Sequence, residues 1–150
     1  MKKLLLSVCV LFAFVGLNAQ DDDSSSAFDA GSIYANAQSD LSAIFADETV
    51  FNFTVGGGYF IIDNLMVGAT YSYFDSGFFS DDFFSLNGRY YVFNNIFGAV
   101  EHTFSNGGNT ALSAGINLFF NDSVSLEPRF IFPLNDGADP ALNVSFGLFF

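Results

Sequence analysis

Positively charged residues are scarce in this 150-residue sequence. Four lysines and arginines stand against sixteen aspartates and glutamates, which gives a net charge of −12. A protein that binds nucleic acid needs basic patches against the phosphates, so that class is excluded. One cysteine rules out an internal disulfide, and one histidine argues against the nucleophile–base sets of hydrolases. What the sequence has instead is phenylalanine, 22 residues of it, and so rich a supply of aromatics excludes a disordered chain.

The first nineteen residues have the layout of a secretory signal peptide. Lys2 and Lys3 precede an apolar run from Leu4 to Val15, and the segment ends on the small residue Ala19. The run is shorter than the roughly 20 apolar residues of a membrane-spanning helix. We therefore expect a signal peptide over 1–19, cleaved after Ala19. Residues 20–30, acidic and rich in serine, are predicted to be a flexible tail, and 31–150 to form the folded domain.

The rest of the sequence alternates apolar and polar residues with a period of two, which is the pattern of β-strands with two different faces. Short Asn/Asp turns such as Asp63–Asn64 and Asn121–Asp122 alternate with longer polar links. Repeated hairpins of this kind favour a closed barrel, so the prediction is an all-β protein built as an eight-stranded antiparallel up-and-down barrel. The eight predicted strands span 32–38, 51–61, 65–73, 84–92, 96–104, 112–119, 124–132 and 142–150.

The composition of the two strand faces favours a transmembrane barrel. One face is apolar, and the other carries Gly, Ser, Asn and Thr with almost no ions. A membrane barrel has an apolar band towards lipid and a polar interior, and it needs strands of about 9–11 residues. The alternative is a secreted soluble β-barrel that binds an apolar ligand.

Four ionic residues interrupt the polar face of the predicted strands: Arg89, Glu101, Glu127 and Arg129. Charges inside a barrel must be paired or hydrated. We therefore expect these four residues to form an ion-pair cluster in the lumen, with a structural rather than a catalytic role.

The remaining acids fall in the predicted links and turns. They could hold divalent cations or form a surface contact, with ordinary solvated loops as the alternative; the candidates are Asp75, Asp81, Asp82, Asp136 and Asp139, with Asp40, Asp47 and Glu48 in the first long link. No metal centre and no cofactor are predicted. The neighbouring Phe78, Phe79, Phe83 and Phe84 are interpreted as an aromatic girdle or as a sticky loop.

Three residues fit the strand pattern poorly. Pro128 lies in the middle of a predicted strand, where it removes a ladder hydrogen bond and predicts a bulge. Pro133 is expected to end that strand. His102 falls on the apolar face, where we expect a neutral residue at the membrane interface rather than a ligand.

The last strand alternates apolar residues and closes on a terminal aromatic: Leu142, Val144, Phe146, Leu148 and Phe150. With this ending the sequence resembles the small bacterial outer-membrane β-barrels of the OmpA/OmpX type. The resemblance implies that this strand is the signal read by the barrel-assembly machinery, and that lipid and lipopolysaccharide of the outer membrane are its surroundings. It also implies periplasmic chain ends, longer loops outside the cell, and interior salt bridges.

An eight-stranded barrel is only wide enough for its own side chains. The expected function is therefore a structural or surface-interaction role without catalysis, with a narrow porin-like channel as the alternative.

Overall fold

The computed structural model describes residues 27–39, 51–75, 78–93, 95–104, 108–135 and 139–150. In these ranges the chain forms nine β-segments: β1 Ile33–Ser39, β2 Phe51–Ile62, β3 Leu65–Asp75, β4 Ser80–Phe93, β5 Ile96–Phe104, β6 Asn109–Ile116, β7 Leu118–Phe119, β8 Val124–Pro133 and β9 Ala141–Phe149. The predicted signal peptide, residues 20–26 of the predicted tail, and Asp40, Asp47, Glu48 and Asp136 lie outside the described residues.

No helix in the described part of the chain has the length and apolarity needed to cross a membrane.

The nine segments close into one antiparallel barrel. Each strand from β1 to β6 pairs with the next in sequence, and β1 pairs on its other side with β9. β8 pairs with β9 on one side and with both β6 and β7 on the other, so β6 and β7 share one position in the wall. The wall therefore has eight positions, which confirms the predicted all-β, eight-stranded barrel.

The break between β6 and β7 lies opposite Pro128. Gly115 pairs with Arg129 and Leu118 pairs with Leu126, so the register is the same on both sides of the gap. Pairing of β8 with β9 runs without a shift from Val124 to Ile131. The predicted bulge is therefore wrong: the missing N–H of proline interrupts the ladder on one side only. Pro133 ends β8, as predicted.

The two ends of the barrel differ in their connections. The short turns lie at one end, here called the turn end, and the β3–β4 connection lies at the other, here called the loop end. In the turn between β2 and β3, Asn64 has φ of 65°, a conformation that asparagine tolerates better than most residues. The expectation that Asn and Asp allow these tight turns is met there.

The hairpin of β3 and β4 is longer than predicted. Asp75 pairs with Ser80, Phe74 with Asp81, and Tyr73 with Asp82. Asp75, Asp81 and Asp82 are therefore strand residues, and their assignment to a loop was wrong. The polar run had suggested a link, but antiparallel pairing continues as long as both strands remain extended.

The last residues of the predicted tail over 20–30 are part of the folded barrel. Residues 27–31 fold against the turn end, where the Phe28 carbonyl accepts a hydrogen bond from the Asn64 amide at 2.8 Å. Gly31 donates its amide to the Phe60 carbonyl at 2.9 Å with φ of 97°, a conformation natural only to glycine. The Phe28 side chain is 4% exposed. Its burial is favourable because it removes a large apolar ring from water.

Candidate functional site

The lumen of the barrel is the candidate site, and its centre is the carboxylate of Glu127 on β8. Glu127 is 1% exposed and forms an ion pair with Arg89 of β4 at 3.1 Å. Four further side chains donate hydrogen bonds to it: Tyr34 at 2.5 Å, Asn117 at 2.6 Å, Ser125 at 3.2 Å and Ser145 at 3.5 Å. These groups meet at one point because each occupies an alternate position whose side chain points into the barrel. The five donors satisfy both oxygens of the buried carboxylate.

Arg89 is fixed by aromatic rings as well as by its ion pair. Its guanidinium carbon lies 4.1 Å from the ring centre of Phe97 and 4.7 Å from that of Tyr34. The Nη1 atom donates to the hydroxyl of Tyr91 at 3.1 Å. Cation–π contacts of this kind gain strength when the cation is shielded from water, and Arg89 is 4% exposed. We call Arg89, Glu127 and the side chains that contact them the Arg89–Glu127 layer.

Between this layer and the turn end lies an aromatic stopper, which we define as Phe28 with the rings that surround it. The Phe28 ring stacks on Tyr91 with the ring centres 4.0 Å apart. The ring centres of Phe149, Phe119 and Phe60 lie 5.4, 5.8 and 6.0 Å from that of Phe28. The four rings around Phe28 come from four different strands, so the stopper spans the interior of the barrel between those strands.

On the loop-end side of the Arg89–Glu127 layer the lumen opens into a cavity of about 250 Å³. Arg129 and Glu101 lie in its wall, with Nη1 and Oε2 3.9 Å apart. Arg129 donates a hydrogen bond to Gln38 of β1 at 2.9 Å. Most of the remaining lining is amide and hydroxyl groups, joined by the inward-facing rings of Phe74 and Phe83.

The four predicted lumenal ions form two ion pairs across the barrel. Arg89 pairs with Glu127 in a dry layer, whereas Arg129 pairs with Glu101 at the wall of the cavity. Sequence reasoning missed Tyr34, Asn117 and Phe28. The first two had a signal, since both have inward parity.

The outer surface of the barrel is apolar. Val67, Leu86, Val100 and Leu112 are each between 44% and 49% exposed and occupy the middle of neighbouring strands. On the loop-end side Tyr71, Phe84 and Phe104 stand side by side in one row. Towards the turn end the exposed aromatics are Tyr59, Tyr90, Phe93, Phe120 and Phe150.

The spacing of these aromatics can be compared with a membrane. Phe84 and Phe93 are nine residues apart on β4, which is about 30 Å along a strand that rises about 3.3 Å per residue. A strand tilt of about 40° reduces this to about 23 Å along the barrel axis, close to the roughly 25 Å apolar band of membrane barrels.

The aromatics beside the β3–β4 connection do not form a single girdle. Phe84 faces outwards, Phe83 lines the lumenal cavity, and Phe78 and Phe79 are 95% and 62% exposed at the hairpin tip. Among the described residues no three His, Cys, Asp or Glu side chains gather in a way that could hold a metal ion. Asp81, Asp82 and Asp139 are exposed, and Asp75 is half-buried.

His102 and part of the apolar side of the C-terminal strand are exposed on the outer face of the barrel. The His102 ring is exposed, is 2.9 Å from the Thr110 hydroxyl and packs edge-on against Phe104. Leu142, Phe146 and Phe150 are between 43% and 64% exposed. Val144 is half-buried, and Leu148 is 5% exposed.

No family model and no curated protein sequence matches this chain. The solved structures that resemble it in fold include the following two. The N-terminal β-barrel domain of Pseudomonas aeruginosa OprF aligns with a TM-score of 0.59 and 12% identity, covering 81% of this chain and 98% of that one. The Yersinia pestis outer membrane protein Ail, solved in a phospholipid bilayer nanodisc, aligns with a TM-score of 0.51 and 11% identity, covering 81% and 100%. At these identities the likeness establishes a shared barrel fold.

Proposed function

We propose that this chain is an integral protein of a bacterial outer membrane, with a sealed barrel that serves a structural or surface-interaction role. The observation that carries the proposal is the inverted distribution of polarity: exposed apolar side chains around the outside and ion pairs within. Water would leave such an exterior unstable, whereas lipid solvates it. Of the two structural neighbours, one is described as a β-barrel domain and the other as an outer membrane protein in a phospholipid bilayer, and the likeness to them supports the same surroundings.

The sealed lumen argues against a general pore. A solute entering at the loop end would meet the Arg89–Glu127 layer and then the stopper around Phe28. The proposed role is also non-catalytic, since the histidine lies on the outer face while the carboxylates of the lumen are held in ion pairs. A surface role is supported by the exposed rings of Phe78 and Phe79 at the tip of the β3–β4 hairpin.

Biogenesis follows from the same proposal. A signal peptide over 1–19 would direct export, and the strand from Leu142 to Phe150 would present its alternating apolar face to the barrel-assembly machinery. The turn end, with the chain ends, would then face the periplasm, and the loop end would face outwards among lipopolysaccharide.

The decisive test is expression of the full chain in a bacterium with an outer membrane, followed by fractionation. We expect the protein in the outer-membrane fraction, soluble only with detergent, starting at Gln20 by mass spectrometry, and with a gel mobility that changes on boiling. Recovery as a detergent-free monomer would contradict the proposal and favour the secreted soluble barrel. In planar bilayers we expect no channel steps, and steady unit conductance would favour the porin-like alternative.

A further inference from the structure

The two ion pairs of the lumen differ in how well they are satisfied. The Glu127 carboxylate receives five donors, whereas Glu101 has no partner among the described residues nearer than Arg129 at 3.9 Å, beyond hydrogen-bond distance. Glu101 is 27% exposed against 1% for Glu127, whereas the Nε atoms of Arg89 and Arg129 are alike in being buried with no hydrogen-bond partner. The carboxylate of Glu127 is thus fully satisfied, while that of Glu101 leaves its acceptor oxygens available beside the cavity.

The lining of the cavity defines the chemistry of a ligand. Glu101 accepts hydrogen bonds, Arg129 donates them, and the amides of Gln38 and Asn143 do both. Because the carboxylate and the guanidinium cancel in charge, the cavity favours a neutral molecule over an ion. A ligand with adjacent hydroxyl groups meets this demand, since each hydroxyl donates to the carboxylate and accepts from the guanidinium or an amide.

Two aromatic rings give the cavity an apolar side. Phe74 and Phe83 point inwards at the loop end, although most of the lumen around them is polar. Phe74 is also held against Phe79, with the ring centres 5.6 Å apart. An aromatic face beside polar groups suits a molecule with one C–H face and a hydroxylated edge, which describes a sugar ring.

The volume of the cavity suits one ring of a ligand. At about 250 Å³ it holds about eight water molecules, and it lies just below the range of pockets for drug-sized ligands.

We propose that the loop-end cavity binds one pyranose ring of a neutral saccharide, with Glu101 and Arg129 on its hydroxyls and Phe74 and Phe83 against its C–H face. For a ligand of about a dozen heavy atoms the affinity is in the millimolar range. The ring can belong to a free sugar or to the saccharide of a surface lipid, because both present the same hydroxylated edge.

The test is titration of the refolded full chain with the methyl glycosides of glucose, galactose, mannose and N-acetylglucosamine, followed by calorimetry and amide NMR. The detergent must carry a phosphocholine or amine-oxide headgroup, because glycoside detergents would compete for the site. We expect millimolar binding of at least one glycoside and a loss of tenfold or more in Glu101→Gln and Phe83→Ala. Ser85→Ala is the matched control, since Ser85 faces the lumen and bonds Thr103 at 2.8 Å but does not line the cavity.

A parallel titration with core oligosaccharide released from lipopolysaccharide distinguishes the two sources. Binding of the oligosaccharide alone, lost in the same variants, assigns the site to a lipid-linked saccharide, and binding of a glycoside assigns it to a free sugar. Binding of neither probe by wild type would overturn the proposal, as would equal binding by wild type and Glu101→Gln. Gel mobility verifies that each variant is folded, so a failure here leaves the membrane proposal intact.

Discussion

The clearest energetic prediction concerns Glu127, because its ion pair with Arg89 is fully removed from water. Replacing it by glutamine keeps the size of the side chain but leaves Arg89 as an unpaired cation that is 4% exposed. Breaking a buried pair in this way costs about 3–5 kcal/mol. The free energy of unfolding of Glu127→Gln should fall by that amount.

Glu101→Gln is the matched control, with the same chemical change in the same lumen. Its ion pair is longer, at 3.9 Å, and the carboxylate is 27% exposed, so the expected loss is about 1 kcal/mol or less. A third variant, Arg89→Met with Glu127→Leu, removes both charges and should recover most of the stability, because no buried charge then lacks a partner.

Urea unfolding in phospholipid vesicles measures these differences, with far-UV circular dichroism and gel mobility as probes. The sequence contains no tryptophan, so tyrosine emission replaces the usual fluorescence signal. Equal losses for Glu127→Gln and Glu101→Gln would refute the distinction between a dry and a wet pair. A double variant no more stable than Glu127→Gln would show that hydrogen bonds, rather than the stranded charge, dominate.

Three further variants test other parts of the structure. Phe28→Ala should lower the free energy of unfolding by about 3–5 kcal/mol in the same assay, since it empties the stopper, whereas Phe120→Ala, at a side chain 67% exposed, should have little effect. Gly68→Ala should cost about 1–3 kcal/mol because its Cβ would lie 2.5 Å from the Gly57 carbonyl oxygen; Gly88→Ala meets only ordinary contacts and should be tolerated. Val100→Arg should destabilise the protein by about 2–4 kcal/mol in vesicles if this face contacts lipid, and an unchanged free energy of unfolding would contradict the membrane proposal.

Most of the barrel could be predicted from the sequence, because a period of two fixes which side of the wall each residue faces. Tyr34, Arg89 and Glu127 all have the inward parity expected of them, and Val67 and Val100 face outwards. The positive φ of Asn64 likewise follows from local chemistry. These features depend only on near neighbours in the chain.

The pairing inside the lumen could not be predicted in the same way. The alternation of the strand predicts that Arg89 points inwards. Whether it pairs with Glu127 or with Glu101 depends on the relative heights of the strands along the barrel axis, which are set only when the barrel closes. Phe28 was missed because its surroundings are polar and serine-rich, and its pocket is made by residues far away in sequence. Pro128 was misjudged because its effect depends on which neighbour its nitrogen faces.

The stopper also has a consequence for the order of assembly. Its rings belong to β2, β4, β7 and β9, so the pocket for Phe28 does not exist until the last strand has paired with the first. The segment before β1, although first in the chain, is therefore the last part to reach its final place. If a protease is added at successive times during folding, the time at which cleavage at Phe28 stops therefore reports when the barrel has closed.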